Sequence, residues 1–126
     1  MAFREFITSS GLKVLAGKDE ETNEDLIKQV RNNELVFHTR EAGSPFANIK
    51  ADAKEITKED INETSIFCAK YSKDWKKNKK DVLMHYFLGK DIFKTKDMKT
   101  GTFGVKNFKE MKVKKQDIEG FEKSIL

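Results

Sequence analysis

Three side chains in this sequence could take part in metal or nucleophilic chemistry: His38, His85 and Cys68. A zinc site needs three or four nitrogen or sulfur ligands, and these residues have no ligand spacing such as Cys-x-x-Cys. The sequence therefore predicts no metal site. Cys68 falls on the apolar stripe of a predicted helix, where a thiol usually packs as a small inert group, so a Cys–His nucleophile pair is not expected.

His38 lies in the segment ELVFHTREAGSPF, which is typical of a strand that ends in the loop Gly43-Ser44-Pro45. Its imidazole could be a ligand, a base, a nucleotide contact or a packed core group. A small hydrolase using His38 with Ser44 is one alternative. Neither Gly-x-Gly-x-x-Gly nor a Gly-Lys-Ser/Thr loop occurs, so no nucleotide fingerprint is present and no cofactor is expected.

The start of the first predicted helix could bind a phosphate. Gly17 and Lys18 precede it, and free N–H groups at a helix start attract anions. The carboxylates of Asp19, Glu20 and Glu21 oppose such binding. This position is therefore a candidate contact rather than a predicted anion site.

Positive charge is concentrated in the second half of the chain. Residues 1–64 contain 9 Lys and Arg against 13 Asp and Glu, whereas residues 65–126 contain 16 against 8. Residues 70–115, the basic segment, hold fifteen lysines and five acidic residues, interleaved with aromatic side chains. Such a one-sided field attracts polyanions, and the alternative is that the lysines only solvate outward faces and edge strands.

The motif YSKDWKK combines aromatic rings with lysines, as single-stranded nucleic-acid sites do. Tyr71 or Trp75 could stack on a base while the lysines contact phosphates. Helical spacing also places both rings on the apolar stripe, so at least one of them is expected to anchor the core.

The positioning elements form an α+β pattern, predicted as a mainly antiparallel sheet of short strands and hairpins with two main helices packed on one face. Asp19 is expected to cap the first helix, which ends at Asn32-Asn33, and Thr57 to cap a second over residues 56–75. The predicted strands are 3–8, 12–17, 34–39, 47–51, 81–89, 91–95, 102–105 and 110–114. Segment 81–89 is apolar on both faces and is predicted to be a central strand, and Met111 and Val113 are predicted to point inward.

Length and composition favour one folded domain, over residues 1–115, followed by a short helical tail at 116–126 that uses Ile118, Phe121 and Ile125. A single cysteine excludes an internal disulfide. No apolar run approaches the roughly 20 residues that span a membrane, and the N-terminus has no signal-peptide core, so we expect a cytoplasmic protein without a membrane partner.

The ordered motifs GLKVLAGKDEETNEDL, ELVFHTREAGSPFANIK, FCAKYSKDWKK and IFKTKDMKTGTFGVKNFKEMKV resemble the NFACT-R domain, the RNA-binding module of the Rqc2/NEMF/FbpA family. The likeness covers about residues 3–114. It is strongest to the archaeal form, through Gly43-Ser44-Pro45-Phe46, and a free-standing form is expected; small relatives such as coiled-coil-domain protein twenty-five share the element at 94–101. Lys18-Asp19 departs from a usual Arg-Asn pair, and Val36 from a common aromatic.

The resemblance implies a non-enzymatic RNA-binding module in translation or ribosome-associated quality control, with rRNA or tRNA and the large ribosomal subunit as partners. An adaptor for acidic proteins and a DNA-binding variant of the domain remain alternatives. The predicted nucleic-acid contacts combine positions that match family motifs with neighbouring charged and polar residues: Lys18, Asn23, His38, Arg40, Ser44, Lys70, Tyr71, Ser72, Lys73, Trp75, Lys76, Lys77, Lys94 and Lys96.

Overall fold

Six short strands form one antiparallel sheet in the computed structural model, which describes residues 3–125. The strands lie in the order β1-β2-β4-β3-β5-β8, and β6 pairs with β7 as a separate small ribbon. Their bounds are β1 Arg4–Ile7, β2 Lys13–Ala16, β3 Leu35–Thr39, β4 Ala47–Ile49, β5 Val82–Leu88, β6 Ile92–Phe93, β7 Gly104–Val105 and β8 Lys109–Val113.

Within this described range, four α-helices cover the sheet: α1 Glu20–Lys28, α2 Lys58–Lys70, α3 Lys73–Asn78 and α4 Lys115–Ser124. The predicted α+β class and mainly antiparallel sheet are confirmed. The predicted placement of the two main helices on one face differs from the structure, because α2 and α4 share one face of the sheet while α1 packs on the other. Alternation along the strands produces this split: Phe37 packs in the cluster beneath α2, and its neighbour Val36 packs with Leu26 of α1.

Both predicted helix caps are confirmed. The Asp19 side chain accepts from the Thr22 backbone N–H, and the Thr57 side chain accepts from that of Asp60, each within a reciprocal capping box. The first helix stops at Lys28, before the predicted end at Asn32-Asn33. Helix ends are the least determined part of a sequence-based assignment, because no glycine or proline marks this one.

The prediction of one continuous helix over 56–75 is wrong. The chain leaves α2 at Lys70 and begins α3 at Lys73. Ser72 lies at the break, where its Oγ donates to the Ala69 carbonyl at 2.6 Å and accepts from the Trp75 N–H at 3.2 Å. A serine that can hydrogen-bond local backbone groups favours a helix cap over a helix interior. The chain therefore ends one helix here and begins another.

The C-terminal half of the sheet matches its predicted pattern in most positions. β5 is an inner strand between β3 and β8, with Met84 in one core cluster and Phe87 in the other. Met111 and Val113 of β8 face the core as predicted. Ile118 of α4 is fully buried, whereas Ile125, which was expected on the same apolar face, lies beyond the helix and is 50% exposed.

Within residues 3–125, no helix combines the length and apolar character needed to cross a bilayer.

Candidate nucleic-acid interface

An open groove of about 1120 Å³ lies where several elements end together. It is bounded by the start of α1, the loop that follows β3, the start of α3 and the segment 100–108. Cationic side chains from these separate parts of the chain line it, so we call it the basic groove: Arg4, Lys18, Arg40, Lys73 and Lys76. The sheet thus gathers charges that are far apart in sequence.

The two ends of the basic groove differ in charge. Asp19, Glu20 and Glu21 line it beside Lys18, so the start of α1 carries mixed charge. Hydrogen bonds from the Thr22 backbone and hydroxyl lower the pKa of Asp19, which keeps its carboxylate ionised. The positive part of the groove is therefore the wall formed by the loop after β3 and by α3.

Helix α3 has one side in the core and one at the groove. Trp75 is 1% exposed, and its Nε1 donates to Glu122 Oε2 at 3.1 Å. Lys73 and Lys76 are exposed and line the basic groove. Trp75 therefore anchors the core, the packing role that helical spacing had indicated, while its lysine neighbours are accessible to a ligand.

Tyr71 lies at the edge of the groove, between two cations. The Arg4 guanidinium is 4.2 Å from its ring centroid and Lys70 Nζ is 4.4 Å from it. Arg4 also donates to the Gly17 carbonyl at 2.9 Å. These contacts order Arg4 and Tyr71 but leave the tyrosine half-buried, with one edge available from the groove.

Gly43 lets α3 approach the loop that follows β3. It adopts φ of 90°, and a Cβ at this position would lie 2.6 Å from Lys73 Cδ. The Lys73 N–H donates to the Gly43 carbonyl at 2.9 Å. The same loop buries Ser44, whose Oγ donates to the Pro45 carbonyl at 2.7 Å rather than to His38. Ser44 thus stabilises the loop that presents Arg40.

His38 forms part of the groove floor as a neutral imidazole. Burial lowers its pKa, and its Nδ1 donates to the Thr39 carbonyl at 2.7 Å. Its ring lies against Phe46, with centroids 4.4 Å apart. Since Nδ1 carries the proton, Nε2 has a lone pair that can accept a hydrogen bond.

His85 lies opposite His38 in the β3–β5 ladder and also lines the groove. Its Nε2 donates to Glu110 Oε2 at 2.8 Å. Its ring stacks on Phe108, with centroids 4.1 Å apart and planes at 21°. Arg4, His85 and Phe108 were not among the predicted contacts; the only signal for Phe108 was a large aromatic residue within the polar turn KNFK.

Several motif residues serve the fold behind the groove. Asn23 is buried; its Oδ1 accepts from the Phe46 N–H at 3.0 Å, and a Cβ on Gly17 would lie 2.0 Å from that oxygen. Asn23 therefore ties α1 to the loop at residues 44–46 from within. Ser72 is likewise buried at the break between α2 and α3.

Lys94 makes contacts that stabilise the fold. Its Nζ contacts Glu24 Oε1 at 2.5 Å and donates to the carbonyls of Lys99 at 2.6 Å and Thr102 at 2.9 Å. The hydrogen bond from Lys94 lowers the pKa of Glu24, which also accepts from the Gly101 N–H. Lys94 thus holds the segment 94–102 onto α1.

The remaining predicted contacts lie outside the groove. Lys77 and Lys96 are exposed, and Lys70 is half-buried over Tyr71. Across the described part of the basic segment, Lys94 is the lysine paired with a carboxylate, so the charge of the other lysines is not cancelled by ion pairs.

Cys68 is buried in the core, and burial raises the pKa of its thiol to about 12. A thiol in this state is not a nucleophile at neutral pH. Among residues 3–125, no group of three or more His, Cys, Asp and Glu side chains is placed to hold a metal ion. The groove offers cations, aromatic rings and the His38 acceptor to a ligand.

Comparisons with known proteins match the sequence of this chain to a family model and to a curated protein. The family model described as the NFACT protein RNA binding domain matches residues 2–107. The archaeal Rqc2 homolog aRqcH of Methanocaldococcus jannaschii is 32% identical over 102 residues, which are 77% of this chain and 15% of that protein. The chain therefore spans a small part of that relative.

The structure of the C-terminal part of the fibronectin/fibrinogen-binding protein from Streptococcus suis superimposes with a TM-score of 0.82. The match covers 95% of this chain and 49% of that one, at 18% identity. At this identity the likeness establishes a shared fold.

Proposed function

The chain belongs to the family of the NFACT protein RNA-binding domain, and on this premise we propose that it is an RNA-binding module whose basic groove contacts RNA. The observation that carries the proposal is the convergence of Arg40, Lys73 and Lys76 on one wall of that groove. The module acts by binding and performs no catalysis of its own.

The charges of this wall suit a sugar–phosphate chain. Arg40, Lys73 and Lys76 are exposed and come from two segments that the hydrogen bond between Lys73 and Gly43 holds together. A cation that reaches phosphate releases condensed counterions, which favours binding at low salt. Because the wall is built on a strand end and a short helix, its cations start from fixed backbone positions.

The groove floor adds contacts of a different kind. Phe46 and Phe87 lie behind this floor and are each only 4% exposed, so the half-buried ring of His38 supplies the contact. His38 Nε2 can accept from a base N–H or from a ribose 2′-hydroxyl, and the latter distinguishes RNA from DNA.

The relative aRqcH is described as an Rqc2 homolog, which supports a role in ribosome-associated quality control during translation. In this role the module would bind rRNA or tRNA, with the large ribosomal subunit as the larger partner, in the cytoplasm. Since the chain matches 15% of that relative, these partners are proposals for this chain and rest on the family relationship.

A salt series on matched variants tests the proposal. The groove variant carries Arg40→Gln, Lys73→Gln and Lys76→Gln; the control carries Lys54→Gln, Lys58→Gln and Lys123→Gln, which lie outside the groove. Fluorescence anisotropy measures the Kd for tRNA and for ribosomal RNA fragments. Removing one cation that neutralises a phosphate should reduce the slope of log K against log salt by about 0.7–0.9.

We expect the slope to fall by about two units in the groove variant and by about half a unit or less in the control. Equal reductions in the two variants would contradict the groove assignment. The absence of binding by the unaltered protein would contradict RNA binding itself, and salt-independent binding would contradict contact between the groove's cations and phosphate. Pull-downs with and without nuclease test the alternative of an adaptor for acidic proteins, since partners bridged by RNA disappear after digestion. Kd measurements with DNA of equal length test the alternative that the domain binds DNA.

A further inference from the structure

We propose that the basic groove binds an unpaired nucleotide of the RNA, with its base stacked on Phe108; this inference rests on the proposed function. The ligand class is thus RNA that presents a single-stranded loop, bulge or end. Arg40, Lys73 and Lys76 hold the backbone, and the phenyl ring of Phe108 receives the base.

Phe108 is more exposed than is usual for a large apolar side chain. It is 52% exposed, although it is one of the large apolar residues of the chain. One face of its ring stacks on His85, which leaves the opposite face open to the groove. An aromatic ring with one supported face and one free face is the arrangement on which nucleic-acid bases stack.

The side chain beneath Phe108 is held by a hydrogen bond. His85 lies on the inner strand β5, and its Nε2 donates to Glu110 on the paired strand β8. This hydrogen bond fixes the plane of the imidazole, and the imidazole in turn orients the phenyl ring. A base that stacks there meets a preformed surface and does not have to order a flexible side chain.

A polar group lies next to His85 in the groove lining. His38 is the partner of His85 across the β3–β5 ladder, where directly opposed side chains have Cβ atoms about 5 Å apart. Its Nε2 can accept a hydrogen bond, because Nδ1 donates to the Thr39 carbonyl. The groove lining therefore contains both a stacking surface, Phe108, and a hydrogen-bond acceptor, His38, which fits a nucleoside better than a bare phosphate.

A continuous duplex cannot use this platform, because its bases are stacked on each other and show only their edges. An unpaired base exposes both of its faces and can leave the stack at little cost. The groove should therefore distinguish RNA ligands by whether they have an unpaired base more than by their number of phosphates.

Phe93 provides a matched control. It is 38% exposed and belongs to the same basic segment, but its ring covers Gly104 and does not line the basic groove. If any exposed phenylalanine promoted RNA binding, Phe93→Ala and Phe108→Ala would have equal effects. Phe108→Tyr preserves the stacking face and serves as the conservative substitution.

The experiment uses three RNA ligands with the same number of phosphates: a hairpin with 2-aminopurine in its loop, the same hairpin with 2-aminopurine in its stem, and a blunt duplex. Kd values are measured for the unaltered protein, Phe108→Ala, Phe108→Tyr and Phe93→Ala. We expect stacking to quench the loop probe and not the stem probe. Phe108→Ala should weaken hairpin binding about tenfold, with an unchanged salt slope.

Phe108→Tyr and Phe93→Ala should stay within about twofold of the unaltered protein, and binding to the duplex should be insensitive to Phe108→Ala. Circular dichroism and thermal melting check that each variant folds. If Phe108→Ala binds the hairpin as well as the unaltered protein does while steep salt dependence persists, this inference fails and the proposed function stands. If the unaltered protein shows no salt-dependent RNA binding, both fail.

Discussion

The two faces of the sheet carry side chains of similar type that are used differently. On the face covered by α2 and α4, aromatic rings interlock: Phe6 stacks on Phe67 at 4.9 Å, and Phe121 packs edge-on to both. On the face that carries α1, Phe108 stacks on His85 and remains half exposed. The face covered by α2 and α4, the closed face, supplies stability. The partly open face supplies Phe108 to the proposed binding surface, and α3, which packs Trp75 into the closed face, supplies its lysines.

Individual lysines of the basic segment also differ in whether their charge is free to contact a ligand. Lys94, on the α1 side, is bound by Glu24 and by two backbone carbonyls. Lys73 and Lys76 line the groove with no carboxylate partner within the described residues. The charge of a segment therefore does not reveal which cations are available to a polyanion.

Trp75→Ala should have the largest effect on stability, because the indole is fully buried in the core cluster of the closed face. We expect a loss of about 3–5 kcal/mol in the free energy of unfolding, measured by urea denaturation followed by circular dichroism. Trp75→Phe keeps most of the packing but loses the bond to Glu122, so its loss should be about 1–2 kcal/mol.

RNA affinity of folded Trp75→Phe should equal that of the unaltered protein. A large loss of RNA affinity in Trp75→Phe with unchanged stability would contradict the assignment of Trp75 to the core, because it would mean that the ring contacts RNA.

Lys94→Gln should follow, with a loss of about 2 kcal/mol, since it leaves Glu24 and two carbonyls without their charged donor. Lys96→Gln is the matched control, because Lys96 is exposed and two residues away; a surface substitution of this kind usually changes stability by about 0.5 kcal/mol or less. Urea denaturation measures both variants.

At a temperature where Lys94→Gln is folded, the slope of log K for RNA binding against log salt should match that of Lys96→Gln. A drop in slope with unchanged stability would show instead that Lys94 contacts phosphate.

The sequence predicted the elements better than it predicted the roles of their residues. The caps at Asp19 and Thr57 followed from local hydrogen bonding, and the inward positions of Met111 and Val113 followed from period-two alternation. The helix break at Ser72 was missed, because a serine inside an apolar stripe is compatible with either a helix interior or a cap.

Much of the groove could not be predicted, since it depends on strand order. Arg4 and Arg40 are far apart in sequence, and it is the placement of β1, β2, β4 and β3 side by side that brings both to the groove. The burial of Trp75 and the bonds of Lys94 are also tertiary features that a motif does not reveal. The division into residues 1–115 and a tail stays a prediction; α4 packs Ile118 and Phe121 into the core.

Substitution of Asp60 should change the free energy of unfolding least among these variants, and the change should depend on pH. Burial raises the pKa of its carboxyl, but hydrogen bonds from Ser10 and Thr57 outweigh burial and lower it to about 2 from the usual 3.8. Because the folded pKa is the lower one, the stabilisation is present above about pH 4 and is lost as the pH falls through 2.

Asp60→Asn should therefore cost about 1–2 kcal/mol at pH 7, and the difference from the unaltered protein should shrink between pH 4 and pH 2. Urea denaturation at a series of pH values measures this. Glu59→Gln, in the same helical turn, should differ little at any pH; a constant gap for Asp60→Asn across the whole range would contradict the assignment of the low pKa.

Crosslinking of bound RNA tests the central claim most directly. Ultraviolet crosslinking of the complex with 4-thiouridine-containing RNA, followed by mass spectrometry of the attached peptides, reports which surface touches the ligand. The basic groove predicts crosslinks within residues 38–46, 71–76 and 100–108. Crosslinks confined to the outer side of α4 and to residues 112–115, with none at the groove, would show that RNA binds elsewhere on the molecule.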